Sequence, residues 1–146
     1  MVEKLQESLF PNLSKTGYKI TSPESDEYNC IAWAAGENDL WRDPNPFYRY
    51  YWPRRASRDA SVGAFVDVFK TLGYETCPDD RLEPGFEKVA IYANTTGKPT
   101  HVARQLRSGA WTSKPGNLED VEHTLEGLTN SEYGDVVQIL KRPAKA

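Results

Sequence analysis

The chain has 146 residues, with 18 Lys and Arg against 21 Asp and Glu, for a formal net charge of −3 at pH 7. That length fits one domain able to bury roughly two-thirds of its unfolded surface, and that balance excludes binding to nucleic acid or an anionic membrane through bulk charge. Only 2 cysteines occur, which argues against a disulfide framework, and no apolar run approaches the roughly 18 residues of a membrane span.

Met1 to Leu9 is charged and lacks the apolar stretch of a secretory signal, so a cytoplasmic protein is expected. Residues 1–28 read as an irregular surface segment, interrupted by Pro11, Gly17 and Pro23. Cys30 opens a short helix in Asn29-Cys30-Ile31-Ala32-Trp33-Ala34, with Gly36 placed to end it. Residues 37–56 form a loop rich in Asp, Asn and Pro. The clearest helix follows: Ser57 or Asp59 caps a run over 58–72 in which Val62, Phe65, Val66, Phe69 and Leu72 recur at helical spacing, and Gly73 closes it.

Strand signals dominate the rest. Lys88 to Tyr92 reads as a buried strand, and residues 94–99 as a turn. His101 to Leu106 and Ala110 to Ser113 form a hairpin around Arg107-Ser108-Gly109. Asn117 caps a helix through Leu118, Val121, Leu125 and Leu128, with His123 solvated among its acidic residues; Tyr133 to Leu140 is a last strand and 142–146 a loose tail. The expected fold class is α+β over a single domain, with a core at 29–141. A Cys-bearing helix and a second helix pack on a small antiparallel sheet.

The chemistry-bearing residues are Cys30 and His101. A thiol at a helix start meets unpaired N–H groups and the positive end of the helix dipole, both of which favour thiolate. A histidine within reach takes the thiol proton and later protonates a leaving amine. Cys77 has no such setting and reads as structural. The positions of Cys30, Cys77, His101 and His123 contain no pair at metal-ligand spacing, so no metal and no cofactor is expected.

Asn29-Cys30-Ile31-Ala32-Trp33-Ala34 followed by Thr100-His101-Val102-Ala103 resembles the papain-like cysteine hydrolases, in particular their compact bacterial amidase and endopeptidase branch. With Tyr51-Trp52-Pro53, Trp111-Thr112-Ser113-Lys114 and Tyr133-Gly134, the pattern also resembles a group of small bacterial proteins. The resemblance implies a papain-like fold and a thiol-dependent amide hydrolase or transferase acting on a peptide or amide substrate. Cys30 would be the nucleophile and His101 the base and acid, with Ser113 or Thr112 of the next strand, or Gln105 on the same face, orienting the imidazole. Asn29, Trp33, Tyr51, Trp52 and Trp111 would line the substrate site.

Phe47-Tyr48-Arg49-Tyr50-Tyr51-Trp52-Pro53-Arg54-Arg55 is a basic, aromatic island in an acidic chain. It carries the other reading: a non-catalytic module on the same fold that binds protein, or nucleic acid by stacking bases, although the overall acidity opposes the latter.

Overall fold

The computed structural model describes residues 10, 12, 16–22, 30–34, 61–114, 120–129 and 133–144. Seven strands form one antiparallel sheet: β1 (Tyr18–Ser22), β2 (Glu75–Cys77), β3 (Phe86–Ala93), β4 (Pro99–Gln105), β5 (Trp111–Ser113), β6 (Asp120–His123) and β7 (Asp135–Pro143). Their spatial order is β1-β6-β5-β4-β3-β7-β2. Among the described residues, helices α1 (Cys30–Ala34) and α2 (Val62–Thr71) accompany the sheet, with a 3-10 turn at Glu126–Leu128.

Both faces of the sheet are covered, which explains why β3 reads as an unbroken apolar run rather than an alternation. On the helix face, Phe65, Val68 and Phe69 of α2 pack with Val89, Ile91, Val102 and Leu140, and Cys30 and Ala34 join from α1. On the far face, Ala90, Tyr92, Ala103, Trp111, Val121 and Ile139 pack with Phe10, Leu125, Leu128 and Tyr133. The Asn12 side chain donates to Glu126 O and Thr129 Oγ1 beside that layer.

Local chemistry sets the boundaries. Ser61 Oγ accepts from Ala64 N at 3.0 Å and caps α2. The cap therefore lies beyond Ser57 and Asp59, and α2 is shorter than the expected 58–72. Asn94 Oδ1 accepts from Thr96 N and Lys98 N and shapes the β3–β4 turn; Leu106 N bonds Ala110 O at 2.7 Å across the expected β4–β5 hairpin. Lys88 is buried on the far face, where its ammonium donates to Asp79 Oδ1 at 3.1 Å and Asp79 O at 3.2 Å. The Cys77 thiol donates to the same carbonyl at 3.3 Å.

The papain-like α+β fold is not what forms. The sheet has seven strands and dominates the molecule, and among the described residues α2 is its single substantial helix. Three differences account for this. Residues 120–123 are not helical: β6 pairs with both β1 and β5, with Val121 and His123 directed inward. His123 is accordingly buried rather than solvated. Tyr18–Ser22, expected to be irregular, forms edge strand β1 through that pairing, and Glu75–Cys77 adds β2 against β7. The expected tail begins later than 142, because β7 runs to Pro143.

Candidate functional site

Strand alternation decides where the expected site residues go. His101, Ala103 and Gln105 of β4 point to the far face, and Val102 and Arg104 point to the helix face. α1 lies against β4 and β5 on the helix face, where Cys30 is half-buried beside the apolar cluster. Cys30 and His101 are therefore on opposite sides of the sheet, and the expected nucleophile–base pair is not assembled. Neither cysteine is in a disulfide.

His101 is fully enclosed. Its ring stacks on Tyr133 at 4.4 Å and 6° and lies 5.6 Å from the Tyr92 ring, and neither ring nitrogen has a hydrogen-bond partner. Burial, reinforced by the nearby His123, holds its pKa well below 6.5, so it is neutral. None of the expected orienting groups reaches it. Gln105 Nε2 donates to Asp80 O at 3.1 Å, and Thr112 faces the helix side. Ser113 bonds His123 instead: Oγ lies 2.6 Å from Nε2, while Nδ1 lies 2.5 Å from Thr124 O. A carbonyl cannot donate, so Nδ1 carries the proton and Nε2 accepts from the Ser113 hydroxyl. That is the donor–acceptor order of an activated serine, but Ser113 is 0% exposed and His123 is held at about 4 by burial. The pair satisfies two buried polar groups and offers no open nucleophile.

Of the expected substrate-lining residues, Trp111 is a far-face core residue. Asn29, Tyr51 and Trp52 lie outside the described residues, as does the aromatic-arginine segment 47–55. Trp33 is the one that reaches a polar surface. Its Nε1–H donates to Thr112 Oγ1 at 3.1 Å, and the Arg104 guanidinium lies 5.2 Å over its ring. Arg104 and Thr112 are register partners on adjacent strands, which brings both to one spot.

Arg104 is the residue that sequence reasoning missed. Among the described residues no carboxylate pairs with it, and its Nε is buried with no hydrogen-bond partner. Arg142 on the same face pairs with Glu87, and elsewhere Lys141 pairs with Glu83, and Arg81 and Lys88 with Asp79. Tyr74 also faces the helix side, edge-on to Phe69 and under the Arg142 guanidinium, with its buried hydroxyl lacking a partner. Burial pushes that phenol up to about 12, while Arg142 and Arg104 act to lower it. A signal for Arg104 was present: it is the one charge within Val102-Ala103-Arg104, a strand otherwise buried at that point.

Fold and site define a predominantly antiparallel β-sheet domain with an arginine–tryptophan contact on its helix-bearing face. Residues 19–141 match a domain of unknown function, DUF7689, and the chain belongs to that family. Neither the curated proteins nor the solved structures gave a match. Among the described residues, no helix is long and apolar enough to cross a membrane, and no group of three or more His, Cys, Asp or Glu is placed to hold a metal ion.

Proposed function

We propose that this domain is a recognition module that binds an anionic group, carboxylate or phosphate, at Arg104 on the helix face. The observation that carries the reading is the half-buried Arg104 guanidinium, held over Trp33 without a carboxylate among the described residues to neutralise it. Thr112 and Tyr74 offer donors beside it, while the carboxylates that share its face, Asp120 and Glu122, stand on β6, one strand beyond Thr112. The Thr112 oxygen accepts from Trp33, which leaves its O–H to donate, and the Tyr74 hydroxyl lacks an acceptor. An anion supplies acceptors to such a patch. A guanidinium fixed by an aromatic face is suited to it, because its paired N–H groups match two oxygens at once and little side-chain freedom remains to be lost. The cysteine-hydrolase reading loses its support because its nucleophile and base lie on opposite faces.

Thermal unfolding in the presence of inorganic phosphate or an N-acetylated amino acid, with chloride at matched ionic strength as control, tests the reading. Binding to the folded state raises the midpoint with ligand concentration. The rise is expected in the unmodified chain, weaker in Arg104→Lys and absent in Arg104→Ala. If neither anion gives an Arg104-dependent rise, the reading is wrong.

A further inference from the structure

We propose that Tyr133 is an acid-released cover over His101: when the imidazole takes a proton from solvent, the tyrosine ring and its tethered peptide leave the far face and open that layer to water. The cover sits at the rim of the core. Tyr133 is half-buried and stacks in parallel on the fully buried imidazole, with Phe10 5.2 Å from its ring on another side. Thr100 of β4 ties its peptide to the sheet, its hydroxyl donating to Tyr133 O. Gly134 follows at φ +75°, a left-handed conformation that turns the chain into β7.

The layer beneath has no means of accepting a charge. The titratable groups facing His101 are Tyr92 from β3, His123 from β6 and Tyr133 itself. The Tyr92 hydroxyl is committed to Leu125 O, and both His123 nitrogens are committed to Ser113 and Thr124. Gln105, on the same face of β4, is committed to Asp80 O. Along β6, Asp120 and Glu122 alternate to the helix face, and no carboxylate charge acts on His101. An imidazolium formed here would have no acceptor for either N–H. Attraction to the tyrosine faces offsets part of that cost but does not replace the lost hydration. Among the described rings around His101, Tyr92, His123 and Phe10 are buried and Tyr133 borders solvent, so moving Tyr133 is the cheapest relief.

Hydrogen exchange of the full chain, read by mass spectrometry from pH 7.5 to pH 4 and corrected for intrinsic rates, tests this. As pH falls below about 6.5, peptides containing Thr100–His101 and Tyr133–Val136 are expected to lose at least about tenfold more protection than α2, which reports the global decline. His101→Phe is expected to abolish that excess. The proposal is overturned if the excess persists in His101→Phe, or if these peptides lose no more protection than α2. Should His101→Phe not fold, Tyr133→Ala decides: with the cover gone, His101 is expected to titrate near the ordinary histidine value of about 6.5 in side-chain NMR spectra. An imidazole that stays neutral in that variant overturns the proposal.

Discussion

Whether Cys30 and His101 can react depends on the parity of a single position along β4. His101 and Val102 are adjacent, and the alternation of the strand sends one to the tyrosines and the other to the helices. Iodoacetamide alkylation of Cys30 is therefore expected to follow the same pH profile in the unmodified chain and in His101→Phe. A shift of that profile on substitution would show that the imidazole does act on the thiol. The histidine at the head of a strand was readable from Thr100-His101-Val102-Ala103, but its direction was not. Both faces of β4 are buried, so no polar–apolar alternation marks which side is which. Gly134 is a second position where one atom decides. A Cβ there would lie 2.0 Å from the Ala93 carbonyl oxygen, at a φ of +75°. Gly134→Ala is expected to cost more than about 1–3 kcal/mol in urea unfolding, since backbone strain and a clash with main chain add.

Among the elements, α2 and β6 show what local pattern does and does not determine. The spacing Val62, Phe65, Val66, Phe69 has one periodic interpretation, and the helix forms with Phe69 fully buried against Tyr74. Phe69→Ala is expected to lose about 3–5 kcal/mol, measured as a lower denaturant midpoint with an unchanged slope. β6 was misread because Leu118, Val121, Leu125 and Leu128 recur at helical intervals in the sequence, while Asp120–His123 is only four residues long. Its strand identity comes from outside it, from β1 on one side and β5 on the other. β3 and the β4–β5 hairpin were legible for the opposite reason: a long buried run and a Gly-containing turn each carry their own signal. Arg104 was hidden because its meaning depends on Trp33, seventy-odd positions away along the chain and brought to it only by the packing of α1 on β4.

For the whole molecule, the buried titratable groups set an acid profile with two stages. His123 titrates at about 4 in the fold against 6.5 when exposed, so above 6.5 neither state holds the proton and stability is at its full value. As pH falls from 6.5 to 4 the unfolded chain takes the proton first, and His123 alone removes about 3 kcal/mol over that window. His101 acts in the same direction. Asp79, held at about 2 against 3.8 by Arg81 and Lys88, adds a second decline between those values. Urea midpoints measured from pH 7.5 to pH 2 are expected to fall in these two windows, and His101→Phe should shrink the first and leave the second. The Lys88–Asp79 contact also makes the protein's tolerance of substitution lopsided. Lys88 is 1% exposed, whereas the Asp79 side chain is 35% exposed. Lys88→Met leaves a carboxylate that water can reach, and Asp79→Ala leaves a buried ammonium with the backbone carbonyl at 79 and the more distant Glu83 carboxylate at 3.8 Å. The second change is expected to lower the urea midpoint more than the first. Substitution at this pair is thus easier in one order: the lysine can go first at lower cost than the aspartate, which couples the segment from Cys77 to Glu83 to the buried face of β3.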